Sequence, residues 1–321
     1  MALPTLAEIQ ATQAQLYRTI TPTPQISWPL LNARLGCEAW VKHENHTQVG
    51  AFKIRGALCS IQQIKTNFPQ AKGVVAATRG NHGQGVAFAA RQHGLSAVIV
   101  VPFGNSVDKN NAMRAQGAEL IEHGEDFQSS LEFARTLAEE RGFPIVDSFD
   151  NPLIRGTATF ACELFKAAPE LDAVFVPIGM GSSICGVAAA RNALGLKTKI
   201  IGVVSSASPS YLLSYRAGKV VEAPSTSKIA DGLSCRKPAA EAVEMIRANA
   251  ADVIEVSDSE IAEAIRIYLE DTHNLAEGAG AASLAGAIRQ RETIAGRRIG
   301  LILTGGNIDQ SLLATVLKKE L

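Results

Sequence analysis

From about residue 70 onward, short apolar runs alternate with stretches whose apolar positions recur every three or four places. GVVAA (73–77), SAVIVV (96–101), AELIEH (118–123), PIVDS (144–148), AVFVP (173–177), KIIGVV (199–204), DVIEVS (252–257) and RIGLILT (298–304) read as strands. Helical spacing covers 83–94, 107–116, 127–142, 153–167 and 183–193, with Gly94 and Gly117 closing the first two, and two more helices lie between 257 and 298. Val/Ile-rich strands of four to six residues separated by helices predict a parallel α/β sheet. The corner at 149–152 (FDNP) is read as a boundary between two lobes, and Thr5 with Glu8 as a capping box opening an N-terminal helix. Ligands of such sheets bind where strand ends enter helices. The loops after Ala77, Pro177 and Thr304 are therefore the places to look for chemistry.

Composition removes several classes of function. The chain has 321 residues, 46% hydrophobic and 19% charged, enough for a large core or two lobes. Its 31 basic and 31 acidic residues cancel, so no field draws it to nucleic acid or to an anionic membrane. Aromatics at 5% are too few for stacking platforms along a strand of nucleic acid. Five scattered cysteines without a CxxC argue against a disulfide framework or zinc site and fit a reducing cytoplasm. No run of eighteen apolar residues occurs, and the N-terminus lacks the basic flank and apolar run of a signal peptide.

Within GAFKIRGA (50–57), Lys53 stands among small and apolar residues, with the fixed cation Arg55 two places on. That setting strips water from an ammonium and lowers its pKa, leaving a nucleophilic amine. The competing reading is a lysine at a helix edge with its head in water. After Ala77, the loop Thr78-Arg79-Gly80-Asn81-His82 offers backbone amides at a helix start, where an anion is favoured. After Pro177, Gly179-Met180-Gly181-Ser182-Ser183 suits a phosphate cradle. It is neither a Walker A loop nor a GxGxxG loop, since Gly186 falls seven residues after Gly179. Thr304 puts a hydroxyl at a strand end, followed by Gly305-Gly306-Asn307. One cofactor uses an amine, an anion site, a phosphate cradle and a ring partner together: pyridoxal 5'-phosphate.

At this point the chain resembles the serine/threonine dehydratase family of pyridoxal-phosphate enzymes, the tryptophan-synthase-β-like fold type II. KHENHTQVGAFKIRGA (42–57), TRGNHGQG (78–85), KNNAMRAQGAEL (109–120), VPIGMGSSICG (176–186), IADGL (229–233), EGAGAAS (277–283) and LTGGNID (303–309) carry the resemblance, in the family's order over nearly the whole chain. It implies a two-domain parallel-sheet fold with the active site between the domains. Residues 1–49 and 148–321 would form a large cofactor-binding domain and 50–147 a small one. The chain ends too soon after Thr304 for the family's C-terminal regulatory domain.

Roles follow from the resemblance. Lys53 would carry the cofactor and act as the base at the substrate's Cα, with Phe52 packed near the ring. Asn81 would hydrogen-bond the ring's phenolic oxygen, Thr304 would meet the pyridine nitrogen, and Gly179, Met180, Gly181, Ser182 and Ser183 would hold the phosphate. Thr78, Arg79, Gly80, Asn81 and His82 would receive the substrate. The implied reaction turns a β-hydroxy-α-amino acid (threonine or serine type, with 3-hydroxyaspartate and phenylserine also open) into a 2-keto acid and ammonia. The resemblance leaves a racemase, a β-replacement synthase and a homodimeric assembly open.

The sequence departs from the family pattern in three places. Met180 and Ser182 interrupt what is usually a run of glycines, although Ser182 can donate to phosphate. Arg79 replaces the serine that racemases use on the opposite face of Cα, and a permanently charged guanidinium is a poor base. It either pairs with a substrate carboxylate or the phosphate, or points to solvent. Val204 and Ser210 stand where metal-dependent members carry a Glu and an Asp, so no divalent-metal site is expected. A carbonyl-bound monovalent ion stays open. His43 and His46 are read as structural or rim residues, His82 as support for the Asn81 loop, and Glu277 as a ring or substrate contact or a helix-dipole partner.

Overall fold

The computed structural model describes residues 2–168 and 170–320. Among the described residues nine strands form two sheets: β1 (Gln25–Ser27), β2 (Glu38–His43), β3 (Gly73–Ala77), β4 (Ser96–Val101), β5 (Glu119–Glu122), β6 (Ala173–Pro177), β7 (Lys199–Ser205), β8 (Asp252–Val256) and β9 (Arg298–Leu303). The larger sheet runs β1-β2-β9-β6-β7-β8, parallel except for the antiparallel β1–β2 pair. The smaller sheet is β3-β4-β5, all parallel. Every residue of β3 and β6 is buried. Helices cover both faces of each sheet, which is why these strands read as unbroken apolar runs rather than alternating ones.

The segment PIVDS does not form a strand. It touches β3 through one bridge, Val75 to Ile145, held by Val75 N–H to Pro144 O and Val146 N–H to Val75 O. Pro144 has no N–H to extend a ladder. Three helices rather than two lie between β8 and β9: Asp258–Thr272, Gly278–Arg289 and the four-residue Arg291–Ile294. The capping box at Thr5 and Glu8 is present, with Glu8 N–H on Thr5 Oγ1 and Thr5 N–H on Glu8 Oε2. At the 149–152 corner Asp150 caps the helix Asn151–Ala167 by accepting from Leu153 N–H at 2.7 Å, and Pro152 sits in that helix's first turn, where it needs no N–H.

The helix Lys53–Asn67 joins the two halves, packing against Asn81–Gln92 on one side and Asn151–Ala167 on the other. The second contact is close: a Cβ on Gly156 would lie 2.5 Å from the Arg55 carbonyl oxygen. A buried ion network fixes the joint. Arg55 donates to Glu44 at 2.8 and 3.0 Å and to Glu163 at 2.6 and 2.9 Å, and Lys42 reaches Glu163 at 2.5 Å. Thr23, Tyr17 and Thr159 take up other positions in it. The Arg55 and Glu44 side chains have no exposure to water, so the cost of burying them is offset only by this full pairing.

Candidate active site

A cavity open to solvent lies between the two sheets, and Phe52, Lys53, Thr78, Arg79, Asn81, His82, Gly179, Met180, Gly181, Ser182, Ser183 and Thr304 all line it. Of the residues singled out from sequence as site residues, only Gly80 does not. It is the N-cap of the helix Asn81–Gln92, and a Cβ there would meet the Lys109 side chain at 2.6 Å.

Lys53 is the first residue of its helix. Its loop is tied to the strand-end loop after β9 by Phe52 N–H to Thr304 O at 3.0 Å, Gly306 N–H to Gly50 O at 2.9 Å and an Ala51–Gly305 bridge. The lysine and Thr304 are thus brought together by backbone bonds. The amine lies 5.0 Å from the Phe52 ring centroid and makes no hydrogen bond or ion pair among the described residues. Burial lowers its pKa to about 8, against the pull of Asp150 and Glu277. A helix N-terminus also disfavours the ammonium. Arg55 is not the cause that the sequence suggested, because Glu44 and Glu163 neutralise it.

Thr78 Oγ1 accepts from Gly80 N–H at 2.9 Å and Gly83 N–H at 3.2 Å, folding the loop into the helix start. Asn81 donates to Glu277 Oε1 at 2.5 Å and accepts from Asn307 at 2.8 Å. His82 is buried behind the loop near Val146 O, and burial pushes it down to about 3, so it is neutral. Arg79 is half-buried, its Nε is sealed from solvent without a partner, and it makes no ion pair among the described residues. Its Nε is shielded while the side chain as a whole stays partly open to solvent.

Gly181 takes φ +100°, a conformation suited to glycine, and turns the chain into the helix Ser182–Ala193. That helix has no side-chain cap. The Met180 carbonyl is tied back to Tyr211 OH at 2.8 Å, and the buried Ser183 Oγ has no partner. Amides of a helix start and a free buried hydroxyl are a donor set for a phosphate dianion. With an unpaired amine, an amide at Asn81 and the Thr304 hydroxyl around one cavity, the residues fit a phosphorylated aromatic aldehyde.

Three charged groups of the cavity were not identified as a unit from sequence. Lys109 Nζ lies 2.5 Å from Asp231 Oδ2 and 3.8 Å from Glu277 Oε2. Burial opposes the Lys109 ammonium, but the two carboxylates outweigh it and raise its pKa. Burial pushes Glu277 up to about 7 despite Lys109. Lys109 and Asp231 lie inside the motif segments 109–120 and 229–233, and that placement was the available signal. His43 and His46 do not line the cavity. His43 Nε2 accepts from Trp28 Nε1 at 3.0 Å, His46 meets Asn274 at 2.7 Å, and both are structural. Val204 is buried in β7, and Ser210 Oγ is spent on the Cys235 carbonyl at 2.6 Å.

Comparison with known proteins adds independent findings. The family described as "Pyridoxal-phosphate dependent enzyme" matches residues 16–305. An L-threo-3-hydroxyaspartate ammonia-lyase of Saccharomyces cerevisiae is 32% identical over 318 residues, 99% of this chain and 97% of that protein. An L-threonine ammonia-lyase of Geobacter sulfurreducens is 37% identical over 317 residues, 98% of this chain and 78% of that one. Among solved structures, maize serine racemase superposes with a TM-score of 0.91 at 30% identity, covering 99% of this chain and 98% of the racemase.

Proposed function

The chain belongs to the pyridoxal-phosphate-dependent enzymes, in the serine/threonine dehydratase branch of fold type II, and we propose that Lys53 is the residue that carries its cofactor and its chemistry. It is an ammonia-lyase acting on β-hydroxy-α-amino acids. Bound pyridoxal phosphate supplies the conjugated sink for charge that develops at the substrate's Cα.

In this reading the amides after Gly179 and the Ser182 and Ser183 hydroxyls would hold the phosphate, Phe52 would pack near the ring, and Asn81 would donate to the ring oxygen. Thr304 would offer the ring nitrogen a hydroxyl rather than a carboxylate. A hydroxyl there would not hold that nitrogen protonated, which suits elimination of the β-substituent. The loop Thr78–His82 receives the α-carboxylate on its backbone amides. The Lys53 amine removes the Cα proton. A base with a pKa near 8 is well matched to that task at neutral pH. The β-hydroxyl leaves as water, and the enamine left behind hydrolyses to a 2-keto acid and ammonia.

A racemase on this fold needs a second base on the opposite face of Cα. By the resemblance Arg79 stands where racemases carry that base, and a guanidinium is a poor base, which supports the elimination reading. We further propose a small domain at 50–147 set against a large one built from 1–49 and 148–321. A cytoplasmic location is supported by five free, buried cysteines, and we also propose a homodimer, which sedimentation would test.

The observation that carries this reading is the partnerless Lys53 amine beside Thr304 in a cavity that also holds an uncapped helix start. The test is keto-acid release from L-threonine, L-serine, L-threo-3-hydroxyaspartate and L-phenylserine by the yellow holoenzyme. Release from at least one is expected. A yellow protein inert on all four contradicts the dehydratase.

A further inference from the structure

We propose that Arg79 binds a second carboxylate, borne on the substrate's Cβ, so that the preferred substrates are dicarboxylic β-hydroxy amino acids of the 3-hydroxyaspartate kind. The inference rests on the ammonia-lyase reading above and narrows its substrate class.

Three cations and two carboxylates line the cavity: Lys53, Arg79 and Lys109 against Asp231 and Glu277. Lys109 takes both carboxylates, at 2.5 and 3.8 Å. Lys53 is assigned to the cofactor. Arg79 remains, with no hydrogen bond, ion pair or ring contact among the described residues and with its Nε sealed from solvent. A guanidinium with no partner among the described residues is set to receive an anion. Its planar fork matches a carboxylate through two parallel hydrogen bonds.

The position selects which anion. The phosphate cradle is built separately, on the Gly179–Ser183 loop of the larger sheet, where an uncapped helix and the free Ser183 hydroxyl already supply donors. Arg79 comes from the loop between β3 and the helix Asn81–Gln92, the same short segment that offers backbone amides to the α-carboxylate. One loop therefore meets both ends of a four-carbon diacid: amides for one carboxylate, the guanidinium for the other. The reaction needs no further reagent. The Cα–H and Cβ–OH bonds break and water leaves. Water then adds at Cα of the imine tautomer, and ammonia departs, giving a 2-keto diacid.

The experiment compares kcat/KM for L-threo-3-hydroxyaspartate and L-serine in the wild-type holoenzyme, Arg79→Met and Arg79→Lys. The wild type is expected to favour the diacid, and Arg79→Met to lower the diacid-to-serine ratio by about 100-fold, carried mainly by KM, because a bidentate contact is lost from one substrate only. Arg79→Lys should restore part of that ratio. As a readout independent of turnover, succinate should raise the melting temperature of the wild-type holoenzyme and not of Arg79→Met, while butyrate should shift neither. An unchanged ratio in Arg79→Met, or succinate protection that survives the substitution, would overturn the proposal. So would loss of cofactor from Arg79→Met, which would place the guanidinium on the phosphate. Absence of keto acid from every substrate in the wild type would instead overturn the ammonia-lyase reading, and this proposal with it.

Discussion

Arg55 and Lys53 are cations two residues apart on one helix, and their surroundings are opposite. Arg55 is enclosed by the carboxylates of Glu44 and Glu163, with Lys42 and Thr159 completing the network. Its pKa is raised, since those carboxylates overcome the cost of burial. Lys53 has no hydrogen bond or ion pair among the described residues, and burial takes it down to about 8. The first site is self-sufficient and holds two halves of the protein together. The second is incomplete within the chain. Its missing complement, together with the free Ser183 hydroxyl and the free Arg79 guanidinium, describes a ligand by its absent contacts.

The contrast can be broken from either side. Lys53→Ala should lower keto-acid release by at least about 10⁴-fold, since it removes both the cofactor's attachment point and the base. Arg55→Met leaves Glu44 and Glu163 buried without their main cation and should cost about 3–5 kcal/mol in chemical denaturation. Lys53→Met should do the reverse in the cofactor-free protein. The folded-state pKa of about 8 lies below the ordinary 10.5. The unfolded chain therefore binds more protons between those values, and stability rises with pH across that window. Removing the amine should stabilise by about 3 kcal/mol below pH 8, with the gain fading between pH 8 and pH 10.5 and absent above it. Ser183→Ala sharpens the comparison at the small end. It should weaken cofactor binding about tenfold, the value of one charge-assisted hydrogen bond, while leaving the cofactor-free protein as stable or slightly more so.

Strands buried on both faces were legible because their sequences are apolar throughout, as in β3, β4, β6 and β9. β2, with sequence EAWVKH, was not. Lys42 and His43 are fully buried there, and only contacts with Glu163 and Trp28, distant in sequence, make that tolerable. PIVDS misled in the opposite direction, an apolar start whose proline cannot join a ladder. At the site, the loops at Lys53, Thr78–His82, Gly179–Ser183 and Thr304 could each be found locally, because a strand-to-helix turn with glycine and a polar donor is a short-range pattern. The Lys109, Asp231 and Glu277 cluster could not. Its members come from three segments, and their charges acquire meaning only from 2.5 and 3.8 Å separations that folding creates. Arg55 shows the same limit. Sequence marked it as a perturbing charge on Lys53, whereas its carboxylate partners turn it into a structural one.

The most direct test of the account is to reduce the yellow holoprotein with borohydride, digest it and map the pyridoxyl mass by peptide sequencing. The label is expected on Lys53 alone, with Lys42 and Lys109 unlabelled because each is held by carboxylates. A label on Lys109 or any other lysine, or a chain that takes up no label, would contradict the claim that the partnerless amine is the one built for the cofactor.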